Sequence, residues 1–393
     1  MIDLAAAQRA IAEERLDGWL LYDFQGLNPI ARDALAPGGR MLTRRWWCLV
    51  PREGPPRFLV HAIERGHWEG APGAIETYGE RSELVFKLRG LVRGAAGGRA
   101  PRLAMEYSPE AAIPSCSFVD AGTIELVRAC GAEIVSSGDL VQAVLARWPA
   151  RGRRLHEEAR DVLLLAMRRG FDAIGAALRA GRPATEREIQ ARILADMEAG
   201  GLVSNAPPIV AVDAHAADPH YSPDAAHDAP IGAGSVVMID LWGKKKGDPD
   251  AVYADMTFMG FTGEFVPQDV RRVWETAVRA RDAALEAARS GRARRGFEVD
   301  RAARDVIAAA GFGPHFPHRT GHSLGPEDHW IGANMDDFET HDERRLLEGT
   351  GFTIEPGIYL PGRFGVRTEI DVFMGPQGPE ATTWVQAEII RIT

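Results

Sequence analysis

Apolar residues recur along this chain with two different periods, and the switches between them divide it into elements. Residues 4–16 carry the three-to-four spacing of a helix, whereas GWLLYDF at 18–24, RWWCLV at 45–50, PRFLV at 56–60 and PRLAMEY at 101–107 read as strands. The second and third of these strands are close enough to pair. Helical spacing returns from Ser82 to Gly90 and from Val119 to Cys130. Such alternation predicts a small α/β domain with a mixed sheet over residues 1–148. At Trp148-Pro149-Ala150-Arg151-Gly152 the apolar pattern gives way to Pro, Gly and charge, which marks a domain boundary.

Residues 153–393 then run through one order of elements twice. A helix over about 155–180 stops at Gly181 with Pro183 beyond it. The next helix opens at Thr185, whose hydroxyl and Glu188 three residues on have the spacing of a capping box. Strands are expected around Ile209–Val212, Ser235–Leu241 and Val252–Gly260. The second pass has a helix after Pro267, another from about Glu298 to Ala310, and strands around Phe352–Tyr359, Val366–Phe373 and Val385–Ile392. Helix, helix, then strands, repeated, predicts an α+β domain with pseudo-twofold halves.

Into these apolar strand patterns the sequence sets four carboxylates, in VVMID240LWG, VYAD255MTF, TIE355PGIY and VRTE369ID, and one imidazole, in HRTGH322SLG. A single carboxylate buried in such a strand costs several kcal/mol without a compensating cation, and taken alone each reads as salt-bridged or exposed. Asp240, Asp255, Glu355 and Glu369 converging with His322 are better explained by two divalent metals, a pair known to support hydrolysis. The two-residue repeat allows it. Asp240 shares a face with Met238 and Trp242, Asp255 with Tyr253 and Thr257, and Arg367 with Glu369 and Asp371. Asp240 and Asp255 can therefore lie on adjacent antiparallel strands. Asp371 reads as a supporting or solvated acid, and Asp250 as part of the loop between those strands. LHEEA at 155–159 lacks the second His of a zinc-protease helix.

Composition narrows the rest. With 393 residues the chain exceeds the usual single-domain size, and a net charge of −9 with only short basic runs argues against nucleic acid as a partner. No stretch is long and apolar enough for a membrane span. Asp3, Arg9, Glu13, Glu14 and Arg15 interrupt any secretory core at the N-terminus. Cys48, Cys116 and Cys130, odd in number and without a C-x-x-C pair, read as buried thiols of a cytoplasmic protein.

Together and in this order, the five motifs resemble those of the creatinase and aminopeptidase family M24, the pita-bread metallopeptidases, over roughly residues 155–393. Within it the chain looks most like the Xaa-Pro enzymes. The resemblance implies a C-terminal pita-bread domain with pseudo-twofold halves, a smaller creatinase-type α/β domain before it, and a homodimer. It implies that Asp255 and Glu369 bridge two metals, that Asp240 holds one of them, and that His322 and Glu355 hold the other, with Glu355 as the proton shuttle. It also makes His220, His318 and His329 catalytic histidines. Oxygen-rich ligation with one imidazole and no thiolate favours Mn²⁺, with Co²⁺, Fe²⁺ or Zn²⁺ able to substitute.

The expected reaction is hydrolysis of the Xaa-Pro bond in proline-containing di- or oligopeptides, as an Xaa-Pro dipeptidase (prolidase). A dipeptide ends in a free carboxylate, and Arg367 could bind it in bidentate form or simply neutralise the acidic cluster. The rivals are an aminopeptidase P acting on longer peptides, a creatinase-like amidinohydrolase without metals, and a metal-inactive peptide-binding relative. Intact ligands disfavour the last two. Two departures bear on the substrate pocket: Trp330 stands where the related enzymes place an acid, and ETHDERRLLEGTG replaces a loop in which some prolidases have an arginine near the His341 position.

Overall fold

In a computed structural model, which describes residues 2–35 and 42–393, nearly every predicted change of hydrophobic period becomes a change of element. The chain divides into two compact units, Met1–Ala146 and Arg147–Thr393. In the first, six strands form one mixed sheet in the order β4-β3-β2-β1-β5-β6. They are β1 (Gly18–Asp23), β2 (Trp46–Pro51), β3 (Arg57–His61), β4 (Ala74–Tyr78), β5 (Arg102–Met105) and β6 (Glu133–Ser136). The central β1-β2 and β2-β3 ladders are antiparallel and the outer pairs parallel. Helices α1 (Leu4–Glu13), α2 (Pro29–Leu35), α3 (Arg81–Arg93), α4 (Ala121–Ala129) and the short α5 (Gly138–Val141) accompany it. Leu84, Leu88 and Val92 of α3 and Ile124 and Val127 of α4 pack with Leu20, Leu49 and Leu103 of the sheet. The elements of this unit absent from the sequence reading, α2, α5, β4 and β6, are short, and both strands are sheet edges where a continuous apolar run is not required. All three cysteines are buried, and among the described residues no disulfide joins them.

The second unit repeats its order of elements. Helices α6 (Gly152–Arg179) and α7 (Glu186–Ala199) lead to β7 (Leu202–Val203), β8 (Ile209–Val212), β9 (Val236–Lys245) and β10 (Ala254–Phe261). Helices α8 (Gln268–Arg289) and α9 (Gly296–Ala309) lead to β11 (Ser323–Leu324), β12 (Gly351–Ile354), β13 (Gly357–Leu360), β14 (Phe364–Arg367), β15 (Ile370–Gly375), β16 (Gly378–Ala381) and β17 (Ile390–Arg391). The capping box of α7 is formed by Thr185 and Glu188. Each helix pair has its own core. Leu163, Met167, Phe171 and Ile193 of α6 and α7 cover Val237, Ile239 and Leu241 of β9 and Met256 and Phe258 of β10. Val273, Ala277 and Ala280 of α8 and Val299 and Ala303 of α9 cover Phe352, Ile354, Ile370 and Val372. Because β9 and β10 give alternate residues to the helices, Asp240, Trp242, Asp255 and Thr257 are turned to the opposite face.

Three expected strands differ from the observed ones. The stretches 352–359 and 366–373 are each interrupted. Ile354 pairs with Ile370 in one ladder and Gly357 with Arg367 in another, so Glu355-Pro356 and Thr368-Glu369 lie opposite each other at the break. Pro356 has no N–H to continue the ladder. Of 385–392 only Ile390–Arg391 pairs as a strand. Before it, the Gln386 side chain substitutes for backbone, accepting from Met259 N at 2.9 Å and donating to Met259 O at 2.7 Å. Among the described residues no helix is long and apolar enough to cross a membrane.

Candidate metal centre

The antiparallel register of β9 and β10 puts Asp240 across from Thr257 and Asp255 across from Trp242, so the two carboxylates are diagonal neighbours on one face. Glu355 and Glu369 reach the same face from the opposed breaks beyond β12 and before β15. His322 enters from the residue before β11. Its approach depends on Gly321, where a Cβ would stand 2.0 Å from the Thr353 carbonyl oxygen. His322 Nε2 lies 3.6 Å from Asp255 Oδ2 and 3.4 Å from Glu355 Oε1. Asp255, His322 and Glu369 each offer a ligand atom within 4.8 Å of the others. These residues line a cavity of about 530 Å³ together with His220, His318, His329, Arg319, Asp328, Trp242 and Arg367.

Hydrogen bonds fix the acids before any ligand arrives. Thr257 Oγ1 donates to Glu369 Oε2 at 2.7 Å, and Thr353 Oγ1 donates to Glu355 Oε1 at 3.2 Å while accepting from His322 N at 3.0 Å. Arg281, buried, donates to Thr368 Oγ1 at 2.9 Å and to Gln386 O at 2.6 Å, which holds the break beside Glu369. His322 Nδ1 faces the Ser323 carbonyl at 3.3 Å, so Nδ1 carries the proton and Nε2 keeps its lone pair toward the acids.

The donor set fits divalent cations. Burial, then the charge of Glu369, raises the Asp255 carboxyl well above its usual range. Burial, then Glu355, does the same to Glu369. Asp240 is also raised, by burial, against the opposing charge of Arg367. Asp240 Oδ1 is buried and finds no hydrogen-bond partner among the described residues. Like charges so placed stay ionised only with cations between them.

Arg367 supplies part of that charge. It is 6% exposed and bonds Asp240 through Nη2. Nε donates to Thr257 Oγ1 at 3.0 Å, and Nη1 faces the Pro219 carbonyl and the Tyr359 hydroxyl, both at 3.4 Å. The guanidinium is thus engaged mainly with the cluster.

The histidines separate into two kinds. His318 Nδ1 donates to Arg319 O at 2.7 Å and Nε2 faces Tyr359 Oη at 2.8 Å, so both nitrogens are taken up by the protein. Burial pushes its pKa down to about 4. His220 and His329 are exposed at the cavity. His220 rides on the segment 213–229, which is pinned by Glu186, fully buried at the start of α7. That carboxylate accepts from Val212 N at 2.8 Å, Tyr221 Oη at 2.6 Å and Ala229 N at 2.9 Å. His329 stacks on His322 with ring centroids 3.9 Å apart. Arg319 Nη2 lies 3.2 Å from His329 Nδ1. A guanidinium can only donate, so Nδ1 accepts and the proton sits on Nε2.

Asp371, read from the sequence as a supporting or solvated acid, proves to be the supporting one, and two further residues of the site, Asp328 and Arg319, escaped the sequence reading. Asp371 is fully buried, accepts Asp255 N at 2.9 Å and orients that ligand from behind. Asp328, adjacent to His329, is buried in the cavity wall, and its Oδ1 lacks a hydrogen-bond partner among the described residues. Arg319, in HRTGH, is an unusual place for a cation between two functional histidines, which is the signal that could have found it.

Residues 155–376 match the model of metallopeptidase family M24. The chain is similar to a probable dipeptidase PepE of Mycobacterium bovis, 31% identical over 80% of this chain and 88% of the relative. Among solved structures it is similar to dipeptidase PepE of Mycobacterium ulcerans, with a TM-score of 0.67, 25% identity, and 99% and 96% of the two chains covered. The prolidase of Pyrococcus horikoshii OT3 shares the fold, with a TM-score of 0.59, 22% identity, and 98% and 99% covered. The chain belongs to metallopeptidase family M24, is a metallopeptidase, and has the pita-bread fold.

Proposed function

We propose that this M24 metallopeptidase holds two divalent metals, Mn²⁺ in preference to Co²⁺, Fe²⁺ or Zn²⁺, and hydrolyses Xaa-Pro bonds as a cytoplasmic, homodimeric Xaa-Pro dipeptidase. The observation that carries the reading is the convergence of Asp240, Asp255, Glu355, Glu369 and His322 on one cavity. The four carboxylates of this set, with the Arg367 guanidinium that bonds Asp240, carry a net charge of −3 (−4 + 1). Two divalent ions match the four carboxylates charge for charge (−4 + 4 = 0), whereas one leaves a negative excess even with Arg367 present (−3 + 2 = −1). In this reading Asp255 and Glu369 would be shared between the ions, Asp240 would hold one, and His322 and Glu355 would hold the other.

When bound, two such ions lower the pKa of a shared water toward neutrality and polarise the scissile carbonyl. The chain's own residues do the rest. Glu355, which accepts from Thr353, would take a proton from the attacking water and deliver it to the leaving nitrogen. His329 presents Nε2–H to the oxygen on which negative charge develops, and His220 is the second donor available at the rim. Arg367 serves as the charge balance of Asp240 rather than as the principal anchor of the substrate carboxylate. His318, with both nitrogens engaged, supports Tyr359 and through it Arg367.

Cleavage of Xaa-Pro against Xaa-Pro-Yaa with each metal, alongside elemental analysis, tests the reading. The expected result is two ions per chain and faster turnover of the dipeptide. Faster cleavage of tripeptides would favour the aminopeptidase P alternative, and full activity with one ion would remove the dinuclear assignment.

A further inference from the structure

We propose that Arg319 is the residue by which this chain grips the free carboxylate of a dipeptide, an assignment that rests on the Xaa-Pro reading above and names its specificity contact. Among the described residues, two arginines line the cavity, Arg319 and Arg367. Arg367 is committed to Asp240, Thr257, Tyr359 and Pro219. Arg319 is only partly buried, and its side chain makes one hydrogen bond to the protein, from Nη2 to His329 Nδ1. Its remaining N–H groups meet no protein acceptor among the described residues. The acids Asp328 and Glu339 line the same cavity without an ion pair to it.

Placement agrees with this role. A carbonyl undergoing attack must come up to His322 and the acids, and His329 covers the His322 ring at 3.9 Å. The guanidinium is therefore hydrogen-bonded to the ring that stacks on a metal-ligand candidate. In an Xaa-Pro dipeptide the carboxylate carbon is three bonds beyond the scissile carbonyl carbon, roughly 3–4 Å through space. The carboxylate of a bound dipeptide would meet Arg319 there, whereas a longer peptide would present a neutral amide.

The backbone on both sides of Arg319 is pinned. Asp300, fully buried on α9, accepts from Thr320 N at 2.9 Å and Thr320 Oγ1 at 2.7 Å. Arg304 donates to His318 O at 2.8 Å. A guanidinium projected from a fixed loop loses less freedom on binding than one on a mobile segment. The same group fixes the His329 tautomer, so one residue would couple recognition of the substrate terminus to the oxyanion donor.

The test compares Xaa-Pro with Xaa-Pro-amide in the metal-loaded wild type, R319M and R319K. R319M should raise KM for Xaa-Pro by roughly ten- to a hundredfold, with KM for the amide moving by less than about threefold. Its kcat should fall on both compounds, because His329 loses its tautomer-fixing donor. R319K, keeping the charge without the fork, should restore part of the acid preference. An R319M enzyme that keeps the wild-type ratio of acid to amide KM overturns the assignment and leaves the Xaa-Pro reading standing. A wild type that cleaves other dipeptides but neither of these overturns that reading and this inference with it. Should R319M not fold, competition by proline against prolinamide in wild type and R319K reads the same contact, and equal inhibition by the two overturns it.

Discussion

Asp240 and Asp255 on the floor of the cavity are carried by paired strands, whereas His220 and His329 at its rim ride on connections. Asp240 is 7% exposed and the His329 side chain 61%. Ladder register and threonine hydroxyls set the floor, and single side chains such as Glu186, Asp300 and Arg319 set the rim. Moving a floor residue disturbs the cation balance of a buried cluster, while moving a rim residue changes only what faces the substrate. Loss of metal should therefore accompany floor substitutions, and loss of rate without loss of metal should accompany rim substitutions.

The largest effect is expected at Asp255 and Glu369. Asp255→Asn or Glu369→Gln removes a charge that both proposed ions share, so metal stoichiometry and nearly all activity should fall together. Elemental analysis of an inactive Asp255→Asn protein that still holds two ions tightly would contradict the bridging role and erase the distinction between floor and rim.

At the rim, His329→Ala should lower kcat by roughly 10²–10³ with metal content unchanged, the usual cost of removing one oxyanion donor. Near-normal kcat would return His329 to a structural role against His322. Loss of metal in this variant would show instead that the stacked ring belongs to the floor.

The two regions were unequally legible in the sequence. Asp240 and Asp255 could be placed on one face because β9 and β10 are regular, and a two-residue repeat then says which side chains leave the helix-covered face. The same repeat, carried through Arg367, Glu369 and Asp371, ran across a break at Thr368-Glu369 that it could not show. Pro356 was the visible sign of the matching break on the other strand. Residues 385–389 look like a strand because they lie beside β10, yet Gln386 makes the contact with its side chain, which no backbone period records. The rim was least legible. Asp328 matters through burial, which a one-dimensional pattern does not contain, and Arg319 through His329 ten residues on, for which its place in HRTGH was the one visible sign.

The smallest effect on turnover, and the test of how far the floor extends, concerns His156 on α6. Its imidazole is fully buried, with Nδ1 2.7 Å from Tyr253 O and Nε2 2.7 Å from Thr382 Oγ1. Nε2 is also 3.7 Å from Asp371, the acid that holds the Asp255 amide. Burial pushes the His156 pKa from 6.5 down to about 4. The unfolded chain then takes up this proton more readily than the folded one. The stabilisation is complete above about pH 6.5 and drains away as the pH falls toward 4, a loss on the order of 3 kcal/mol at full extent. His156→Asn should be less stable than the wild type at pH 7, and the gap should narrow as the pH approaches 4, where carboxylate titration common to both proteins cancels in the difference. Denaturant midpoints measured for both proteins across that window give the comparison. Parallel stability curves would show that His156 contributes packing alone, and that the floor ends at Asp371.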